Sequence, residues 1–268
     1  MTSGCAGGRR TAWRRTAGAI AAVALGLSLA LGAAAAAAAP PAGAAVMDRY
    51  VEATGGKAAY DSVQNRVVHA TLELPAQNVK LDVTQYQARP NQVYVVIESQ
   101  VIGKIESGVS GGFAWETSTM TGPRLKEGAE EQETMRDAIF DLMANWRRTY
   151  PKAEVAGADT VDGRPCWKVA LTPRFGRART NWFDQETGLM QKTEFVSESP
   201  MGTVTAIVRP GDYRKVGSLL MPHRAETEVL GQKRILTIHS VEQNVVLPAN
   251  RFDPPADVKK LIDAKPKK

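Results

Sequence analysis

The sequence predicts a mainly β protein of the α+β class: a strongly curved antiparallel sheet forming an incomplete β-barrel, with a helical lid. Three observations lead there. Apolar residues recur with period two through most of residues 66–244, and turn-forming residues punctuate them at short intervals. A single long stretch, residues 130–150, carries a helical period instead, and it interrupts the strands once. The strands number about ten in succession, and a sheet that wide tends to curl or close, offering a concave face for the helix to cover.

The chain opens with Arg9, Arg10, Arg14 and Arg15 ahead of a small-residue apolar run over residues 17–39 that ends at Pro40 and Pro41. This is the pattern of a signal peptide, and residues 1–45 are assigned to leader and linker, with 46–268 as one domain. The competing reading is an uncleaved anchor, since the run is long enough to span a bilayer; its Ala-x-Ala sites favour cleavage. The arginine pairs leave the export route open. Residues 46–54 then place Met47, Tyr50, Val51 and Thr54 on one helical face, and Gly55-Gly56 stops the helix; residues 57–63 add another turn or two.

Strands are expected from Arg66 onward. Val68, Ala70, Leu72 and Leu74 alternate with Val67, His69, Thr71 and Glu73, and Val79, Leu81 and Val83 repeat the pattern. Residues 92–98, 103–109 and 112–117 continue it, separated by Arg89-Pro90-Asn91 and Ser110-Gly111. In the helical stretch, Met135, Ala138, Ile139, Leu142, Met143 and Trp146 fall within an arc of roughly 140° at 100° per residue, opposite Arg136, Asp137, Asp141, Arg147 and Arg148. Glutamates lie near its start and Pro151 ends it. Phe140 projects from the polar side, so either a second element covers it or it is an exposed contact point. Residues 155–161 and 166–171 flank Asp162-Gly163 as a hairpin, 179–183 and 189–197 form another, and 202–213, 223–229 and 233–244 complete the series, with Gly231-Gln232 as a tight turn. A proline-marked segment and a last short helix over 258–262 close the chain.

Composition narrows the function. Removing the four arginines of the leader takes the formal net charge from +6 to about +2, with no basic stripe for nucleic acid. Only Cys166 remains after the leader, so no internal disulfide forms, and Cys5 precedes the apolar run and cannot become a lipid anchor. His69, His223 and His239 stand alone, without metal-ligand spacing; no nucleophile elbow, phosphate loop or dinucleotide fingerprint is present. No catalytic residue, metal or cofactor is assigned. Large apolar side chains carry the chemistry that remains: the tryptophans and phenylalanines of the strands and helix either fill the curved sheet as an ordinary core or line a cavity in it.

Several segments carry a family likeness. Residues 46–56 (Val46-Met47-Asp48-Arg49-Tyr50-Val51 through Gly55-Gly56), Phe113-Ala114-Trp115-Glu116, Gly122-Pro123, Gly128-Ala129-Glu130, Gly163-Arg164-Pro165-Cys166, Phe183-Asp184-Gln185-Glu186-Thr187-Gly188-Leu189 and Phe252-Asp253-Pro254-Pro255 are similar, in order and spacing, to bacterial outer-membrane lipoprotein-sorting proteins of the LolA/LolB-like superfamily. The resemblance implies an incomplete β-barrel with a helical lid over a hydrophobic cavity. It implies a periplasmic carrier of acyl chains of a lipoprotein or lipid, working with inner- and outer-membrane transport partners. No position matches the carrier's functional arginine. Trp115, Met135, Ile139, Leu142, Met143, Trp146 and Trp182 are the candidate residues of cavity and lid. The alternative function is a sensor or protein-interaction module with a filled core.

Overall fold

The computed structural model describes residues 39–199 and 202–265. The leader expected over residues 1–45 therefore lies, up to residue 38, outside the described residues. A first helix, α1 (Gly43–Ala53), starts three residues ahead of its expected position. Its apolar side carries Val46, Met47, Tyr50 and Val51 into the core, and Gly43 lies so close to a later strand that an added Cβ would sit 2.3 Å from the Ala153 carbonyl oxygen. Gly55 and Gly56, at φ 130° and 80°, turn the chain into α2 (Gly56–Asp61).

Thirteen strands follow among the described residues: the twelve segments marked out by the sequence, expected as about ten strands, and one more. They are β1 (Asn65–Leu74), β2 (Val79–Ala88), β3 (Gln92–Ser99), β4 (Gly103–Ser110), β5 (Phe113–Ser118), β6 (Gly122–Leu125), β7 (Lys152–Val161), β8 (Arg164–Thr172), β9 (Arg179–Asp184), β10 (Met190–Ser199), β11 (Gly202–Val216), β12 (Leu219–Val229) and β13 (Gln232–Gln243). β6 is four residues long, too short to show a period, and escapes the sequence pattern for that reason. All pair antiparallel in one open, curved sheet, in the order β6-β5-β4-β3-β2-β1-β13-β12-β11-β10-β9-β8-β7. Every neighbour is consecutive in sequence except β1 and β13, whose pairing from Arg66 with Gln243 to Glu73 with Ile235 joins the two halves. Asp162 and Gly163, both at positive φ, make the hairpin turn their sequence predicts; the β12–β13 turn is centred on Leu230 and Gly231, one residue before its expected position.

The long helix expected over residues 130–150 is two pieces, α3 (Gly128–Asp137) and α4 (Trp146–Thr149), and this corrects the single lid helix. The break has a physical cause. Phe140 donates its backbone N–H to the Pro90 carbonyl at 3.0 Å instead of to its own helix, and Asp141 takes φ 50°. The Asp141 carboxylate, buried, receives Arg66 at 3.0 Å and Arg89 at 3.4 Å. Phe140 is covered by those same two guanidiniums, 5.2 and 5.0 Å from its ring centre, so the first of its two alternatives holds. A last helix, α5 (Ala256–Asp263), packs on β5 and β6.

Candidate functional site

The register sorts side chains onto two faces. Val83 pairs with Ile97 and Gln85 with Val95 between β2 and β3; Val68 faces Gln85 and Ala70 faces Val83 across to β1. The same face continues through Leu236 and Ile238 of β13, Ala225 and Val229 of β12, Ala206 and Val208 of β11 and Phe195 of β10. It is the concave face, because Met135 and Ala138 of the α3 region pack on its Val93, Val109 and Ala114, and α1 packs on its Val169, Leu171 and Phe183.

Helices cover only part of this face: α1 lies on its β7–β8 flank, and α3 crosses it, touching β5 on one side and β10 on the other. Along its middle Leu72, Val83, Val95, Ile97, Val208, Val229, Leu236 and Ile238 are half-buried, where an ordinary core would bury them fully. The result is an apolar trough. One hollow of about 410 Å³ lies between α3 and the sheet, lined by Val93, Val95, Ala138 and Phe195 on its apolar side and by Lys126, Glu130, Glu133, Arg136 and Asp137 on its polar side. A smaller one, about 220 Å³, is lined by Ile139, Leu142, Met143, Tyr60 and Met221 beside the Arg66–Asp141 pair.

The polar wall is built, not incidental. Arg136 is buried, its guanidinium donating to the Arg177 carbonyl at 2.9 Å and to Asp137 at 2.9 Å. Burial works against its charge, but Asp137 outweighs it and lifts its pKa. Arg179 reaches the same Asp137 at 3.0 Å and stacks over Phe195, 5.2 Å from the ring centre. Tyr150 is fully buried, its hydroxyl without a hydrogen-bond partner among the described residues and its ring centre 5.9 Å from the same guanidinium, and burial raises its pKa.

The structure brings together only some of the expected site residues. Ile139, Leu142 and Met143 border the smaller hollow, and Met135 packs on the concave face beside the larger one. Trp146 joins the α1 core, with its indole N–H on Asp48 at 3.1 Å, rather than reaching the middle of the trough. Trp115 and Trp182 do not share the trough at all. Trp115 is on the convex face, fully buried with Tyr94 under Val258 and Ile262 of α5, because alternation sends its neighbour Ala114 inward. Trp182 is likewise on the convex face, bonded to Asp159 at 2.8 Å and covered by Lys192 and Lys168. Four trough residues, Val83, Val95, Val208 and Phe195, are not among the site residues expected from the sequence, and they carry one usable signal: the strand alternation that places Val68 and Ala70 inward extends to them by pairing.

The three histidines remain separate: His69 meets Thr84, His239 meets Thr71, and His223 meets the Met221 carbonyl. Cys166 is a free thiol, buried on the convex side with Val161 and Trp182.

No protein-family profile and no curated protein matches the chain. Solved structures do. A DUF1329 family protein from Desulfovibrio piger aligns at TM-score 0.57 and 13% identity, over 81% of this chain and all of its own. A LolA superfamily protein from Nitrosomonas europaea aligns at 0.54 and 14%, over 80% and 99%. A putative outer membrane lipoprotein-sorting protein domain from Vibrio parahaemolyticus aligns at 0.55 and 10%, over 79% and 96%. The chain thus has the LolA-like fold, an open half-barrel, as the motif order implied.

Proposed function

We propose that the chain is a carrier of the bacterial envelope that shelters acyl chains of a lipoprotein or lipid in the concave trough, exported to the periplasm behind a cleaved leader. The observation that carries this reading is the half-buried apolar middle of the concave face. A protein of this size has ample means to fill a core, and eight large aliphatic side chains left part-wet in one trough favour a hydrocarbon guest. Burial at about 0.8 kcal/mol per CH₂ gives a sixteen-carbon chain roughly 12 kcal/mol before ordering costs. Met135, Ile139, Leu142 and Met143 form the movable side of the site, with flexible methionines suited to varied chains. The polar wall around Arg136 and Arg179 suits the head group or ester end. The carrier would receive its cargo from an inner-membrane donor and pass it to an outer-membrane acceptor.

The test is mass spectrometry of lipid extracted from protein purified without detergent, beside the variants Val95→Glu and Leu142→Glu. Val95 lines the larger hollow and Leu142 the smaller. A stoichiometric acylated species, lost from Val95→Glu while its circular dichroism stays unchanged, is the expected result. Folded, monodisperse parent protein that carries no lipid, and takes none from vesicles, would overturn the carrier and return the reading to an interaction module. Lipid lost in Val95→Glu but kept in Leu142→Glu would confine the site to the sheet and remove Leu142 from it.

A further inference from the structure

Six large apolar side chains stand exposed among the described residues, and four of them share one end of the sheet. Antiparallel order puts the turns after β1, β3, β5, β8, β10 and β12 together at that end, residues 200–201 of the turn after β10 lying outside the described residues. They display Val101 at 76% exposure, Met120 at 81%, Phe175 at 39% and Leu230 at 77%; Val246 and Leu261 lie elsewhere. The turn residues 75–78, 100–102, 119–121, 173–178 and 230–231 include no aspartate or glutamate, and their only charges are Arg174 and Arg177. Arg174 is exposed and donates to the carbonyl of Arg148, itself exposed at the end of α4.

The opposite end differs. Its turns carry Arg89, Asp162 and Glu186 and display no large exposed apolar side chain among the described residues, and helix connections pack on it: Gly55 packs against the Ser218 carbonyl, the backbone N–H of Phe140 bonds Pro90, and Arg49 lies on Gly188. Neighbouring turns at the apolar end are two strands apart, roughly 10 Å, so they form a row along the arc of roughly 50 Å from the β5–β6 turn to the β8–β9 turn.

We propose that this end docks on the surface of an anionic lipid bilayer, with Val101, Met120, Phe175 and Leu230 entering the interface and Arg148 and Arg174 meeting lipid phosphates. Single apolar side chains on turns without a carboxylate are the arrangement that a head-group layer accepts, and the turn arginines favour a negative surface, because the carboxylates of the flanking strand ends, Glu73, Glu98 and Glu154, are paired with Lys80, Lys104 and Lys152. The site is separate from the trough and stands whether or not the trough carries a lipid.

The experiment is vesicle flotation of the chain from Ala39 onward, which contains every described core contact, with vesicles of phosphatidylethanolamine and phosphatidylglycerol or of phosphatidylcholine alone. The parent should float with the anionic vesicles at low salt at least tenfold better than with the neutral ones. The combined variant Val101→Ser, Met120→Ser, Phe175→Ser and Leu230→Ser should lose that binding with an unchanged melting temperature, and Arg148→Gln with Arg174→Gln should abolish the preference for anionic lipid. An environment-sensitive dye at Met120→Cys should shift to the blue on vesicles, whereas the same dye at Ser218→Cys, at the other end, should not. Equal flotation of parent and fourfold serine variant would overturn the proposal. So would a parent that ignores vesicles but self-associates through these residues, which would make the end a contact between copies.

Discussion

At the scale of single residues, the fold depends on a few polar groups held by backbone. Asp184 closes β9: its carboxylate is buried and accepts the N–H groups of Glu186 at 2.9 Å and Thr187 at 2.7 Å, with Arg164 at 3.2 Å on the other oxygen. Burial by itself would raise its pKa, but the two N–H groups and Arg164 outweigh it and hold the carboxyl below the usual range. A carboxylate with a folded pKa below its unfolded value stabilises fully above the unfolded value, near pH 4, and loses that contribution as pH falls through the folded one. Asp184→Asn should therefore cost about 1–3 kcal/mol at pH 7, and the gap between parent and variant should narrow below about pH 4. Urea unfolding of both proteins at pH 7, 5 and 3.5 measures it; a gap independent of pH would assign the effect to shape rather than charge. The sequence showed this turn as a hairpin signal in Asp184 to Gly188 but not the carboxylate's role, because accepting two backbone donors leaves no pattern in spacing.

At the scale of elements, the segment after α3 shows where reading a period fails. The apolar arc from Met135 to Trp146 is real, and Met135, Leu142 and Met143 do face the concave side, yet the helix that would carry them is broken at Asp141. Helical period reports local preference, whereas the break is set by Arg66 and Arg89, 75 and 52 residues away in sequence. Phe140 supplied the clue, an aromatic on a charged face, and its partners are the two arginines that hold the break. Removing Arg66 leaves Asp141 buried beside a single, longer contact to Arg89, so Arg66→Ala should cost about 3–5 kcal/mol. It should also speed amide hydrogen exchange over residues 138–145 well beyond the change in the strands. Uniform acceleration across the whole sheet would mean that the pair supports global stability and not the seat of this segment. The strands were legible because alternation is local, while the two-sided use of the sheet was not: nothing near Trp115 tells that α5, more than 140 residues later, will cover it.

At the scale of the whole molecule, a thirteen-strand sheet that curls without closing keeps two free edges, β6 and β7, and each has a helix beside it. α1 lies against β7, where Gly43 permits its close approach to Ala153, and α5 lies over β5 and β6 with Val258 fully buried on Trp115 and Tyr94. An uncovered edge strand is a template for pairing with another chain, so these helices act against self-association as well as adding core. Placing a charge in the α5 contact separates the two contributions. Val258→Asp buries a carboxylate without a partner and should cost about 3 kcal/mol or more if α5 stays docked; the cheaper outcome is that α5 lifts off. Lifting wets Trp115 and opens β6, so tryptophan emission should move to the red and sedimentation velocity should show association that grows with protein concentration. In a Trp115→Phe background the emission change should vanish and the association should persist. A Val258→Asp protein that stays monomeric with its emission shifted would show that α5 protects the core face alone, and that the shortness of β6 is itself enough to keep the edge from pairing.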